Sequence, residues 1–263
     1  QSRENLVCRL LLEKKKHNVQ VKKRRKVKMK KNKQLTVGII STGDEIVEPM
    51  AKPIAGQIRD VNSYALAAAV TQRGYIAKRY GIIPDVYAGL HECLARAVEE
   101  CDMVLVSGGS SVGTRDYTIQ ALEALSGRDV LLHGVAIKPG KPTIFTMVGN
   151  VALFGLPGHP VSALTVFERI VRKAAEEISG EVVVGDGLCV RARITRNVPS
   201  AAGREDIIRV KLKREGDGYV AEPVFGKSGL ISTLIKADAR VRIAPHVGGL
   251  YAGDEVEAVW LRS

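Results

Sequence analysis

The stretch MVLVSGGSSVGTRDYT (residues 103–118) decides the fold of this chain. It begins with a short apolar run rich in β-branched side chains, which predicts a buried strand. The run breaks into a segment with three glycines and then continues into a helical pattern, TIQALEAL. A strand, a glycine loop and a helix start direct backbone N–H groups and a positive helix end at an anion. The stretch therefore predicts either a phosphate-binding loop or a tight strand-to-helix turn in which Asp116 is a cap.

The net positive charge of the chain is concentrated in its first residues. The chain has 263 residues, with 40 Lys/Arg, 28 Asp/Glu and a net charge of +12. Residues 1–35 hold fourteen of the basic residues and two of the acids, so residues 36–263 are neutral overall. We therefore expect a basic, poorly ordered arm over residues 1–35. The arm has no aromatic side chain for base stacking, which disfavours nucleic acid as a partner apart from a polyanion bound by the arm itself.

Cysteine usage and hydropathy favour a cytoplasmic protein. The four cysteines show neither metal-like nor disulfide-like spacing, which fits a reducing compartment. No apolar run approaches the roughly 20 residues of a membrane span, so we expect no membrane partner. The short apolar segment LVCRLLL has no basic region before it, and the sequence therefore predicts no secretory signal.

Strand and helix patterns alternate over residues 36–180, which predicts an α/β domain with a mostly parallel sheet. The residues Asp60–Ser63 offer caps to one helix, VLLHGVAI (130–137) predicts a strand, and 161–178 predicts the longest helix. Ligands bind at the carboxyl ends of parallel strands, where we expect polar loops to share one rim. These loops are TGDE (42–45), GIIPD (81–85), SGGSSVGTRD (107–116), KPGKP (138–142) and LPGHP (156–160).

Residues 181–263 have a different pattern. Segments such as LCVRARITR and IIRVKLKRE alternate apolar and charged residues, and turns such as Gly216-Asp217-Gly218 separate them. Such alternation is typical of strands with one solvent-facing side. We therefore expect a small all-β domain, either a barrel or a sandwich.

Together, eight motifs resemble those of the molybdopterin molybdotransferase family, which includes the MoeA proteins and the E domain of gephyrin. They are STGDEI (41–46), QIRDVNSYAL (57–66), GIIPD (81–85), SGGSSVGTRDYT (107–118), VAIKPGKPT (135–143), GLPGHPVSA (155–163), GREDIIRV (203–210) and GKSGLISTL (226–234). Single-domain molybdopterin adenylyltransferases share the sheet and the glycine loop but lack the second domain. The last two motifs therefore favour the metal-inserting branch. The resemblance implies a three-layer α/β/α sheet domain of the molybdopterin-binding type (36–180), followed by a small all-β barrel domain (181–263).

The resemblance also implies a transferase of molybdenum cofactor biosynthesis, which inserts molybdate into adenylylated molybdopterin and releases AMP, with Mg²⁺ as its metal. The implied catalytic residues are Asp116, Glu45, Asp85 and Lys138, and the implied metal ligands are Asp116, Asp85 and Asp44. The implied contacts to the pterin and its pyrophosphate are Gly108, Gly109, Ser110, Gly113, Lys141, Pro157 and Pro160. The implied molybdate contacts are Lys138, Ser162, Arg204 and Ser228.

These residue types suit that chemistry. Backbone N–H groups and lysines bind pyrophosphate, carboxylates bind a hard divalent ion, and cations with hydroxyl groups bind a tetrahedral dianion. Structural alternatives stay open. Asp44, Glu45 and Asp85 could satisfy loop amides or cap a helix, Lys138 could be surface charge, and Ser162 could belong to the first turn of a helix.

The resemblance covers only the last two domains of the family. Two further domains normally precede the sheet domain and contribute to an elongated homodimer, which is the partner that the resemblance implies. Residues 1–35 are too short and too basic to form those domains, so we expect a fragment, a fusion remnant or a divergent short form. A non-catalytic molybdopterin-binding or scaffold module is therefore the alternative function, and a polyanion binder acting through the arm is a third.

Overall fold

A computed structural model describes residues 33–108, 117–181 and 187–261. The chain divides into two compact units. The first contains the residues up to Val135 and those from Pro142 to the gap at 182–186, and the second contains Ala136–Lys141 and the residues after that gap. Residues 1–32 of the predicted basic arm lie outside the described residues. Leu35, the last residue of the predicted arm, is fully buried.

The first unit is built on a six-stranded sheet. The strands of this unit are β1 (Thr36–Thr42), β2 (Ile46–Val47), β3 (Ile58–Arg59), β4 (Ile76–Ile83), β5 (Met103–Ser107), β6 (Leu132–His133), β8 (Ile144–Val148) and β9 (Val151–Leu156). Strand β7 (Ile137–Lys138) lies between β6 and β8 in the sequence and belongs to the second unit. The sheet has the order β4-β1-β5-β9-β8-β6, in which the first four strands are parallel and the last two are antiparallel to their neighbours. The chain passes from β1 to β4 on one side and then to β5 on the other, so the strand order reverses beside β1. Open α/β sheets bind ligands at such a reversal, outside the carboxyl ends of the strands.

Helices cover both faces of this sheet. They are α1 (Asn62–Gln72), α2 (Tyr87–Glu100), α3 (Tyr117–Ser126), α4 (Pro160–Val166) and α5 (Arg172–Ser179), with a π-helical segment (Phe167–Val171) between the last two. Helix α1 packs with α4, and α2 packs with α3 against β-strand side chains such as Val104 and Val106. The predicted three-layer α/β/α fold is therefore confirmed. No helix in the described ranges is long and apolar enough to cross a membrane.

Two predicted elements differ from the structure. The helix predicted over 161–178 contains the π-helical segment, which the sequence pattern did not reveal because charged residues such as Glu168, Arg172 and Glu176 recur at the spacing of an α-helix. The strand predicted over 130–137 is two short strands, β6 and β7, in different units. They are separated at Gly134, whose φ of +84° lies in the left-handed region that favours glycine.

The second unit is a closed five-stranded barrel. Its elements after β7 are β10 (Cys189–Ile194), β11 (Val198–Pro199), β12 (Glu205–Glu215), β13 (Gly218–Pro223), α6 (Ser232–Lys236), β14 (Ala239–Ile243), β15 (Gly249–Leu250) and β16 (Glu255–Trp260). The order β13-β10-β16-β14-β12 closes because β12 also pairs with β13. Small apolar side chains such as Val210, Val241 and Ala258 fill the interior. The barrel that the resemblance implies is confirmed, and β7 extends it by pairing with the start of β12.

Candidate functional site

The carboxyl ends of three parallel strands lie level at one edge of the sheet. Ser41 of β1 pairs with Ser107 of β5, and Ser107 pairs with Leu156 of β9. The chain leaves β5 at Gly108, where φ is +111° and a Cβ would lie 1.9 Å from the carbonyl oxygen of Thr42. Only glycine fits at this junction. The residues that follow β1, β5 and β9 are called the carboxyl edge below.

Asn62 connects two of these strand ends, and reasoning from the sequence missed it. Of the predicted caps, Asp60 has that role, because its carboxylate accepts hydrogen bonds from the Ser63 N–H (3.0 Å) and hydroxyl (2.6 Å). The Asn62 amide group donates instead to Ser107 Oγ at 2.6 Å and to the Gly158 carbonyl at 2.7 Å. Within the described residues its buried Oδ1 has no hydrogen-bond partner. The sequence contained one sign of this role, because Asn62 is a further residue of the capping type at a helix start that Asp60 already caps.

Two of the predicted metal ligands, Asp44 and Asp85, meet at the carboxyl edge. The Asp85 N–H donates to Asp44 Oδ1 at 3.0 Å, and Thr42 Oγ1 donates to Asp85 Oδ1 at 2.5 Å. Asp44 therefore satisfies a loop amide, as its structural alternative anticipates. Asp44 is exposed and Asp85 is half-buried, while the predicted catalytic residue Glu45 is exposed in the adjoining turn.

The described part of the carboxyl edge supplies some of the oxygen ligands that a hard divalent ion takes. The described residues contain no group of three or more His, Cys, Asp or Glu side chains that could hold a metal ion. Asp44 and Asp85 nevertheless supply two carboxylates, and Mg²⁺ on a nucleotide takes one or two carboxylates together with phosphate oxygens and waters. Outside the described residues lie four predicted site residues, Gly109, Ser110, Gly113 and Asp116.

The loop after β9 supplies three more predicted residues at this edge. Gly158 lies beside Gly108, since a Cβ on Gly158 would be 3.8 Å from the Gly108 Cα. Pro157 is buried, and Pro160 is the first residue of α4, where its fixed φ suits a helix start. Ser162 follows in the first turn of that helix and is 5 % exposed.

The sequence predicts the loop KPGKP (138–142) as part of the sheet domain, and in the structure its residues up to Lys141 group with the second unit. Both lysines belong to the second unit. The reason is the turn at Gly134, after which the backbone of β7 pairs with Glu205 and Asp206 of β12. Both lysines are exposed.

Lys138 and Arg204, two of the predicted molybdate contacts, meet at a carboxylate that sequence reasoning did not select. Arg204 Nε donates to Asp206 Oδ1 at 2.9 Å, and Lys138 Nζ lies 3.9 Å from Asp206 Oδ2. Ser228, the third predicted contact in this unit, is half-buried in the segment between β13 and α6. The signal for Asp206 was present in the motif GREDIIRV, where two adjacent acids open strand β12 and are followed by two isoleucines.

Comparison with known proteins assigns a family to each unit. Residues 38–177 match the family described as a probable molybdopterin binding domain, and residues 191–261 match the MoeA C-terminal region, domain IV. A molybdopterin biosynthesis protein of Methanocaldococcus jannaschii is 35 % identical over 87 % of this chain and 56 % of its own. A molybdopterin molybdenumtransferase of Haemophilus influenzae is 34 % identical over 85 % of this chain and 55 % of its own.

A solved structure agrees with these matches. The MoeA protein of Pyrococcus horikosii has a TM-score of 0.73 and 35 % identity, covering 87 % of this chain and 55 % of its own. The chain thus spans about half the length of the relatives it matches. These matches confirm the resemblance that the eight motifs indicate.

Proposed function

Because this chain belongs to the molybdopterin-binding domain family and continues into a MoeA C-terminal region, we propose that it acts in molybdenum cofactor biosynthesis as a molybdopterin molybdotransferase. In the proposed reaction, molybdate enters the dithiolene of adenylylated molybdopterin. Water cleaves the pyrophosphate link, so that AMP leaves and the pterin keeps its own phosphate. The observation that carries the proposal is the presence of both regions, in the family's order, in one chain.

The carboxyl edge suits the pyrophosphate of such a substrate. Gly108 lets the chain leave β5 without a side chain, and the proposed contacts continue through Gly109, Ser110 and Gly113. A loop of this kind offers backbone N–H groups to phosphate oxygens. We propose that Pro157 and Pro160 shape the pterin side of the pocket.

The carboxylates suit the metal and the proton transfer. Asp44, Asp85 and Asp116 are the proposed ligands of Mg²⁺, which when bound neutralises charge on the pyrophosphate. Asp85 already accepts a hydrogen bond from Thr42, which fixes one of its oxygens and leaves the other for a ligand. Glu45 and Asp116 are the proposed groups that orient and deprotonate the attacking water.

Cations and hydroxyl groups suit the molybdate. Lys138 and Arg204 are drawn together at one buried carboxylate, and two cations in one place favour a dianion. We propose that Ser228 of the same unit adds a hydroxyl donor, as a tetrahedral oxyanion requires.

The experiment that tests this function measures AMP. The purified full chain is incubated with adenylylated molybdopterin and Mg²⁺, with and without molybdate, and AMP is quantified by chromatography. We expect release that depends on molybdate. Binding of the pterin nucleotide without any molybdate-dependent AMP would reject the insertase and support the alternative, a non-catalytic molybdopterin-binding or scaffold module.

We also propose a homodimer in the reducing cytoplasm. The three cysteines within the described residues are free thiols, with Cys93 and Cys101 buried and Cys189 exposed, which is compatible with that compartment. Sedimentation equilibrium of the full chain tests the assembly. A mass of one chain across the micromolar range would reject the dimer.

A further inference from the structure

We propose that Asp206 is a positioning residue of the molybdate site, which holds Arg204 and Lys138 so that their remaining N–H donors face one oxyanion. The inference rests on the proposed function and concerns the second unit alone. Strand register, hydrogen bonding and burial carry the inference.

The strand register places the three residues side by side. Strand β7 pairs in parallel with the start of β12, so Lys138 lies directly opposite Asp206. On the other side of β12, Asp206 pairs with the core residue Ile243. Asp206 therefore points to the interior side of the barrel wall at its end, and Lys138 has the same side-chain orientation. Arg204 precedes β12 and reaches the same carboxylate.

Asp206 differs in burial from the two cationic side chains that it binds. The Asp206 side chain is 5 % exposed, whereas those of Arg204 and Lys138 are 38 % and 59 % exposed. Asp206 is thus a fixed internal group, and the two cations extend from it to the surface. Since the Arg204 bond to Asp206 is made through Nε, the two terminal nitrogens keep the paired donors that match two oxygens of an oxyanion.

The direction in which molybdate affinity changes on loss of Asp206 distinguishes a positioning role from a purely electrostatic one. The cluster carries two positive charges and one negative charge, so removal of the carboxylate raises the local positive potential. By charge alone, loss of Asp206 should strengthen the binding of a dianion. If Asp206 positions the cations, its loss frees both side chains, and ordering them on binding costs conformational entropy. Positioning therefore predicts weaker binding, which is the opposite sign.

A neighbouring pair provides a matched control. Arg242 Nε donates to Glu205 Oε2 at 2.7 Å, and Arg242 is 58 % exposed while Glu205 is 6 % exposed. The chemistry is the same as that of Arg204 and Asp206, but adjacent residues of a strand face opposite sides. Changes in the Glu205–Arg242 pair should leave the anion site unchanged.

The experiment measures molybdate affinity of the full chain by isothermal titration calorimetry. The variants are Asp206→Ala and Arg204→Lys, with Arg242→Lys as the control and thermal unfolding recorded for each. We expect Asp206→Ala and Arg204→Lys each to raise the dissociation constant about tenfold, the scale at which groups that orient a ligand act. We expect the double variant to lose little more than Arg204→Lys alone, because Asp206 acts mainly through Arg204. Arg242→Lys should bind molybdate like the wild type.

Three results would overturn the inference. One is unchanged or tighter binding by folded Asp206→Ala, and another is additive losses in the double variant. If Asp206→Ala does not fold, Arg204→Lys is the deciding variant, because a lysine keeps the positive charge but lacks the Nε contact to Asp206. Wild-type affinity of Arg204→Lys for molybdate would then reject the positioning role. The third is a wild-type chain that binds no molybdate, which would also reject the proposed molybdate site, whereas the first two leave that site intact.

Discussion

At the scale of single residues, the glycine loop shows what a sequence pattern can and cannot explain. The pattern predicts glycine at 108 because a phosphate must approach the backbone. In the structure the atom that excludes a side chain there is the carbonyl oxygen of Thr42, at 1.9 Å from an ideal Cβ. The position of the loop was predictable, and the packing reason for its first glycine was not, since it involves a residue 66 positions away.

Gly108→Ala should therefore destabilise the protein strongly. A Cβ at φ +111° is strained, and its overlap with Thr42 forces the ends of β1 and β5 apart. We expect the free energy of unfolding to fall by more than about 3 kcal/mol, measured by urea denaturation. The control is Gly74→Ala, where φ is +77° but nothing lies within 4 Å, and which should cost about 1 kcal/mol. Equal losses at the two positions would contradict the packing argument.

Asn62 is a residue for which the local sequence pattern predicted a helix cap and the structure shows a different role. Its sequence context is a helix start, and only the structure shows its amide bonded to Ser107 and Gly158. Asp206 is a similar case, because its partners Lys138 and Arg204 were selected as separate anion contacts. In both residues the missing information was a long-range contact.

Asn62→Ala should weaken both stability and nucleotide binding. The change leaves the Gly158 carbonyl without its side-chain donor and removes the link between two strand ends. We expect a loss of about 1–3 kcal/mol in the free energy of unfolding and weaker binding of adenylylated pterin. Asn197→Ala is the control, since its exposed bond to the Ala252 N–H should be worth about 0.5 kcal/mol or less. A variant with wild-type stability and binding would show that Asn62 has neither role.

At the scale of elements, patterns within one segment were read correctly and partnerships between segments were not. The hydrophobic runs located β1, β5 and β9 because each strand is buried on both faces. The segment 130–137 was also apolar, but nothing in it states that β7 pairs with β12, about 70 residues later. The pairing of Lys138 with Asp206 could not be predicted for that reason.

Tyr75, which directly precedes β4, contacts the end of α5, and its ionisation predicts that the stability of the fold depends on pH. Tyr75 is 5 % exposed, and its hydroxyl donates to Glu181 Oε2 at 3.0 Å. Burial, followed by this bond to Glu181, raises its pKa from 10.0 to about 12, although a hydrogen bond with Ser179 opposes the shift. Between pH 10 and 12 the unfolded chain loses this proton while the folded chain keeps it. Stability is therefore present below pH 10 and falls as the pH rises towards 12.

Tyr75→Phe should remove this dependence. We expect the free energy of unfolding of the wild type to fall, relative to that of the variant, by about 1.4 kcal/mol for each pH unit between 10 and 12. Urea denaturation at several pH values measures the difference. Parallel pH profiles for the two proteins would show that the ionisation of Tyr75 is not coupled to folding.

At the scale of the whole molecule, composition and alternation were sufficient to predict two kinds of fold. Strand–helix alternation gave an α/β domain with a mostly parallel sheet, and the change to alternating apolar and charged residues gave an all-β domain. The three-layer arrangement and the barrel came from the resemblance of the motifs to a known family. The neutral charge of residues 36–263 indicated that the polyanion hypothesis rests on the arm, whose residues 1–32 lie outside the described ranges. RNA binding that persists after deletion of residues 1–32 would reject that third function.

If this chain acts as the proposed molybdotransferase, each insertion of molybdenum releases one AMP, so the ratio of the two products is the decisive measurement. The full chain is incubated with adenylylated molybdopterin, Mg²⁺ and molybdate. AMP is then quantified by chromatography, and molybdenum retained on the pterin is quantified by mass spectrometry. The account predicts equal amounts of AMP and pterin-bound molybdenum, both abolished when molybdate is omitted. AMP released at the same rate without molybdate, or pterin bound with neither product formed, would contradict it.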